Sequence, residues 1–219
     1  MGKVKLFLKK KNGASMGIGA MIVFIAMVLV AGIAASVFIQ VANQLQMQAL
    51  FTGQETIDEV STGVAVIDIA GHVTNTTNGI DLLVITIKPR AGSGDIDLNE
   101  LVLEIADNET KAILSYQSTQ FSDSDSLPED VFNASCFNLS STEFGIIELE
   151  DADDSCSGST PMINKGDLVM LTVNASVIFD LGIDVRTDVF GNVIPEIGSW
   201  GIISFRTPAS YTDTVIDLM

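Results

Sequence analysis

The chain has 219 residues, 47% of them hydrophobic, with 28 Asp and Glu against 11 Lys and Arg, one His and a formal net charge of −17; that length suits one folded domain plus an appendage. Such a balance excludes a nucleic-acid binder, because neutralising phosphates needs a cationic face that 11 bases cannot hold against 28 acids. The single histidine, His72, rules out multi-His zinc sites and leaves Ser-His-Asp or Cys-His chemistry hanging on the placement of one residue.

Charge and hydrophobicity occupy different segments. Lys3, Lys5, Lys9, Lys10 and Lys11 are followed by no charged residue from Asn12 to Gln54, and all 28 acids come later. The 23 residues from Gly17 to Ile39 contain one polar side chain, Ser36; as a helix they extend ~34 Å, enough for a bilayer core. Lysines before the span and acids after it predict a cytoplasmic N-terminus and an exported bulk. Three readings of this start compete. A cleaved secretory signal has an apolar core of roughly 7 to 15 residues, shorter than this run. A single-pass anchor fits the length. The third reading is a basic leader removed on the cytoplasmic side, and Lys9-Lys10-Lys11-Asn12-Gly13 before Ala14-Ser15 has the look of that junction.

The stretch Gly13-Ala14-Ser15-Met16-Gly17-Ile18-Gly19-Ala20-Met21-Ile22-Val23-Phe24-Ile25-Ala26-Met27-Val28-Leu29-Val30-Ala31 resembles the N-terminus of archaeal flagellins (archaellins), the subunits of the archaellum filament. The resemblance implies that a prepilin-peptidase-like enzyme cuts between Gly13 and Ala14. The family usually has a basic residue directly before that glycine, where this chain has Asn12. Bacterial type IV pilins share the plan but carry a glutamate near the mature N-terminus, and Ala14 to Gln54 has none.

An all-round apolar helix must be buried in lipid, in a core or among copies of itself. Ala31/Ala35 and Gly32/Ser36 supply two small-xxx-small pairs for close helix packing. Gln40, Asn43, Gln44, Gln46 and Gln48 then continue the helix without charge to Phe51, so that Met16 to Phe51 extends ~54 Å, past any bilayer. A helix destined for membrane and then for a filament core should avoid charge throughout, since an unpaired buried charge costs several kcal/mol. Removing Met1 to Gly13 leaves 6 bases against 28 acids, a formal charge of −22.

Gly53 to Gly63 reads as a helix end and hinge, and beyond it the period changes to two. Runs at Val64–Ile69, Ile80–Lys88, Leu98–Ile105, Ala112–Tyr116, Gly145–Leu149, Leu168–Phe179 and Gly201–Phe205 predict a sandwich or barrel of about seven or more strands, with Ser210–Met219 as a closing strand whose Asp217 belongs at an edge. Ten acids between Phe121 and Cys156 read as a solvated surface insertion; calcium-loop spacing fails from Asp123 (Pro128, Ala134) and from Asp95 (Glu100, Ala106), so no metal site is expected. Cys136 lies within that acidic segment and Cys156 at its end, both expected on the exported side. A disulfide between them would close about 20 residues and contribute roughly 3 kcal/mol; two reduced thiols are the alternative. Sequons occur at Asn75, Asn108, Asn133, Asn138 and Asn174, the last in mid-strand where it must face outward to be modified. His72 is read as a polar loop residue, and no catalytic residue or cofactor site is expected.

The expected architecture is α+β, a long N-terminal apolar α-helix followed by an antiparallel β-sandwich, immunoglobulin-like by the family resemblance. Residues 1–13 form a cleaved leader, 14–54 the membrane and filament-core helix, and 55–219 the exported acidic domain. The resemblance implies a non-enzymatic subunit of the archaellum that polymerises with itself for swimming, through its assembly machinery and a membrane-held precursor. An archaeal adhesive pilin and a membrane-tethered extracellular binding protein are the alternatives.

Overall fold

The computed structural model describes residues 2–74 and 79–219, with side chains from Met16 onward. The chain divides into two compact units, Met1–Gln54 and Glu55–Met219. The first is the greater part of helix α1, Gly2–Ser61, 60 residues long. Its sequence has no Pro and no run of β-branched residues long enough to oppose helix, and Ala, Leu, Met and Gln favour it. Every described side chain up to Gln54 is exposed, Phe38 by 75%. The helix ends at Ser61, inside the expected stretch 53–63: Gly53 is itself helical, and the chain leaves the helix at Thr62, whose N–H still reaches Asp58 O at 2.9 Å. Without a proline, a lone exposed glycine costs ~1 kcal/mol and does not stop a helix.

The chain beyond is clasped rather than hinged. Gly63 N–H donates to Ser93 Oγ (3.0 Å), Ser93 Oγ donates back to Gly63 O (3.1 Å), and Arg90 N–H donates to Gly63 O (2.8 Å). Val64 N–H donates to Ser199 O and Ser199 N–H to Thr62 O, at 3.1 and 2.9 Å. Residues 62–64 are thus held from two sides by backbone groups that would otherwise need water.

The second unit is built on strands β1 (Val64–His72), β2 (Leu82–Pro89), β3 (Ile96–Asp97), β4 (Val102–Ala106), β5 (Lys111–Ser122), β6 (Glu143–Glu150), β7 (Met162–Ile163), β8 (Leu168–Asn174), β9 (Asp188–Ile194), β10 (Gly201–Arg206) and β11 (Val215–Asp217). Nine form a single sheet in the order β10-β9-β4-β5-β6-β8-β2-β1-β11, and β3 pairs with β7 apart from it. The sheet rolls until β10 meets β1, where Gly201 lies against Val66 and Gly63 bridges Ser199. One face therefore encloses the core, including Ile69, Leu83, Ile85, Leu103, Leu114, Phe144, Ile146 and Leu171, all fully buried. The expected sandwich is thus one rolled sheet with a shared core. β11 pairs only with β1, leaving Asp217 at an edge.

Three features depart from the sequence reading. All main-sheet pairings are antiparallel except β5–β6, which is parallel, with Ser115 opposite Glu143 and Ser122 opposite Ile147. A parallel pair needs a long crossover, and the acidic segment 123–142 supplies it. It is not a freely solvated insertion: three short 3₁₀ turns, Ser124–Ser126, Val131–Asn133 and Ser135–Phe137, bury Ala134, Cys136 and Phe137 against Val84 and Ile147 in a second apolar cluster. Second, β9 was missed because Gly191 and Asn192 interrupt its run. Gly191 is required, since a Cβ there would lie 2.2 Å from Glu104 O of the neighbouring strand. Third, the run to Phe179 ends as strand at Asn174 and turns into a four-residue helix, α2 (Ala175–Ile178).

The crossover sits on β6 through Gly145, where a Cβ would meet Thr172 Oγ1 at 2.6 Å, Cys136 O at 2.7 Å and Gln120 O at 2.8 Å. Gly145→Val should therefore cost ~1–3 kcal/mol by overpacking, lowering the midpoint of thermal unfolding, followed by far-ultraviolet circular dichroism, by roughly 2–10 °C.

Candidate functional site

Among the described residues, the features that bear on function are exposed surfaces, the sequon asparagines and one carboxylate group. Ala31, Gly32, Ala35 and Ser36 are all exposed on α1, as are the apolar residues around them. Transfer of apolar surface from water is worth about 25 cal/mol per Å², so this bare helix holds a large unrealised driving force for association. Gly13 and Ala14 lie within the helical backbone of α1, and their side chains are outside the described set.

The sequons separate by environment. Asn108 is exposed in the turn between β4 and β5, where Asp107 Oδ1 accepts from the N–H groups of Glu109 (2.8 Å) and Thr110 (2.6 Å). Asn133 and Asn138 are exposed on the crossover, Asn133 Nδ2 donating to Asp130 Oδ2 at 3.3 Å. Asn174 is half-buried: its Nδ2 donates to Phe137 O at 3.2 Å and its Oδ1 accepts from Ser176 Oγ at 2.7 Å. A sugar on that nitrogen would have to break the tie between β8 and the crossover. Asn75 lies outside the described residues.

Cys136 and Cys156 are free thiols, not the expected disulfide, and both are buried. Cys136 belongs to the crossover cluster and Cys156 to the main core. Burial raises the pKa of both; for Cys156 the nearby charges of Glu148, Asp151 and Asp167 add to it, pushing it up to about 12. Such thiols stay protonated and unreactive at neutral pH. His72 is not in a loop but ends β1, its Nδ1 3.2 Å from Asp81 Oδ1 and its ring 5.0 Å from that of Phe132 on the crossover.

The carboxylate group was not legible in the sequence. Asp151, Asp153 and Asp167 each bring an oxygen to within 4.8 Å of the others. Asp151 Oδ2 accepts from Cys156 N–H (2.7 Å) and Oδ1 from Asp153 N–H (3.1 Å). Asp153 Oδ2 accepts from Asn164 Nδ2 (2.8 Å), and hydrogen bonds from Asn164 and Ser155 hold its carboxyl below the usual carboxylate range. Asp167 is only 2% exposed; its Oδ2 accepts from Asn164 N–H at 2.7 Å and its Oδ1 has no partner. A buried unpaired carboxylate oxygen is costly. An all-oxygen set of this kind suits a hard divalent cation such as calcium and does not suit zinc. The signal was missed because Asp167, the buried member, follows Lys165 outside the acidic run, and only the β7–β8 turn returns it to Asp151. Millimolar calcium should therefore raise the thermal midpoint, since a ligand binding only the native state stabilises it. EDTA should reverse the gain, and Asp167→Asn should abolish the calcium response in the same melting experiment.

A family model for archaeal-type flagellin matches residues 14–205, from the apolar helix through β10. The chain belongs to the archaeal-type flagellin family. Flagellin B2 of Methanocaldococcus jannaschii is 49% identical over 214 residues, 97% of this chain and 96% of that protein. Flagellin B1 of Methanococcus voltae is 40% identical over 98% of this chain and 99% of its own length. Among solved structures, the crystal structure of archaeal flagellin FlaB1 from Methanocaldococcus jannaschii superposes with a TM-score of 0.65 at 37% identity, covering 72% of this chain and 96% of that one. A chain of the archaeal flagellum of Methanospirillum hungatei shares the fold, with a TM-score of 0.62 at 15% identity over 91% of this chain and 98% of that one. The matched span takes in both the apolar helix and most of the β-rich unit of this chain.

Proposed function

We propose that this flagellin is a structural subunit of the archaellum filament, polymerising through α1 for swimming motility. The observation that carries the reading is the bare apolar surface of α1, charge-free from Asn12 to Gln54 and exposed at every described side chain up to Gln54. Copies of the same helix can cover that surface, with the small residues Ala31, Gly32, Ala35 and Ser36 permitting close approach. The second unit, residues 55–219, carries all 28 acids and forms the filament exterior outside the cell.

Before assembly the same helix is held in the cell membrane with the lysine-rich leader on the cytoplasmic side. A prepilin-peptidase-like enzyme cuts after Gly13, and the assembly machinery takes up the mature chain beginning at Ala14; the family match beginning at residue 14 supports this junction. Removing five lysines takes away the charges that would resist extraction from lipid. Exposure at Asn108, Asn133 and Asn138 supports their modification by glycans on the exported surface.

Gly13→Ile should leave an uncleaved precursor of higher mass in the membrane fraction, with no filaments by electron microscopy; normal filaments beginning at Ala14 would refute the processing step. Val28→Glu should yield cleaved, folded subunits that do not polymerise, because a carboxylate among packed helices lacks a partner. Normal filaments from that variant would show that α1 is not the core.

A further inference from the structure

The solvent side of an antiparallel sheet is ordinarily polar, but the outer face of strands β10, β9, β4 and β5 is not. Ile202, Asn192, Glu104 and Ile113 lie side by side across the four strands by register, and Ser204, Phe190, Ala106 and Lys111 form the next row. Ile194 and Val102 pair in the row on the other side, both half-buried, with Trp200 beside them at the start of β10. Ile202 is 67% exposed, Ile113 61%, Trp200 55% and Phe190 54%. Their neighbours along each strand, Ile203, Leu114, Val193 and Val189, point into the core and are buried. The apolar character of the outer face is therefore additional to what the fold needs. Contiguous exposed apolar patches on soluble domains mark interaction surfaces.

The charges on this face cancel locally. Lys111 Nζ lies 2.5 Å from Glu104 Oε1, and Arg206 Nε lies 3.5 Å from Asp188 Oδ1. In a chain with 28 acids and 11 bases, this is a surface that another equally acidic molecule can approach without like-charge repulsion, which elsewhere is relieved only by screening over ~8–10 Å. We infer that this face, built on Ile202, Phe190, Ile113 and Trp200, is a side-by-side contact with a neighbouring copy of the same chain in the filament. The inference rests on the filament reading above. Copies related by a helical operator meet through different patches, so the contact is heterologous and open-ended, as filament growth requires. It is an apolar contact in the exterior layer, separate from the packing of α1, and insensitive to ionic strength.

Trp200, the single tryptophan, reports on it. In wild-type filaments of the full chain, verified by electron microscopy, Trp200 emission should be blue-shifted and should lose acrylamide quenching relative to folded, unpolymerised Val28→Glu subunits. Ile202→Lys with Phe190→Lys should leave the subunit's circular dichroism and melting unchanged, since both side chains are exposed in it, yet give filaments that dissociate at lower temperature. Equal quenching of Trp200 in filaments and free subunits, or doubly substituted filaments as stable as wild type, would overturn the contact while leaving the filament reading intact. Failure of the wild-type chain to form filaments would overturn both.

Discussion

An apolar helix long enough to cross a bilayer, with no apolar partner in its own unit, cannot remain in water at low cost. At about 25 cal/mol per Å² of exposed apolar surface, α1 is driven into lipid or against copies of itself, and both environments impose the same rule: no charge anywhere along the buried length. The chain obeys it from Asn12 to Gln54. The five N-terminal lysines accordingly precede Gly13, and all the acids follow Gln54. The segregation of charge along the chain follows from this single requirement.

The second unit solves a different problem. With 28 acids against 6 bases it holds a formal charge of −22 and must still fold tightly. Rolling one sheet until β10 meets β1 leaves few free strand edges, a known liability in a secreted β protein at high local concentration. The short, acidic β11 covers what remains. Ten acids gather on and after the crossover, where Asp151, Asp153 and Asp167 converge, whereas the β10-β9-β4-β5 face pairs its charges internally and exposes isoleucine, phenylalanine and tryptophan. The acidic segment and the apolar face thus occupy different strands of one sheet.

The two buried thiols fit this economy. Each sits in a separate apolar cluster with its pKa raised by burial, so they act as small core residues. What holds the crossover to the sheet is instead a set of polar ties: Thr172 Oγ1 to Cys136 O at 2.9 Å, Asn174 Nδ2 to Phe137 O at 3.2 Å, and the close seat at Gly145. Asn174 is occupied structurally even though its sequence context is that of a modification signal.

The helix, its freedom from charge and the alternation of most strands were legible from local sequence, because each depends on residues adjacent in the chain and on periods of 3.6 or 2. The segregation of acids was legible for the same reason. The clasp just beyond the helix was not, because Thr62 and Gly63 are fixed by Ser93, Arg90 and Ser199, far away in sequence. Nor was β9, whose Gly191 looks like a breaker until Glu104 O is seen against it. The parallel β5–β6 pair turned an apparent insertion into a crossover. Asp167 became part of a carboxylate group only through the return of β7 and β8 to Asp151. The apolar outer face required register across β10, β9, β4 and β5 before isolated hydrophobic residues became one surface. Local patterning sets which residues are helical, extended or buried on one side; which distant groups meet is decided by strand order and register, and those come from packing the whole sheet around a single core.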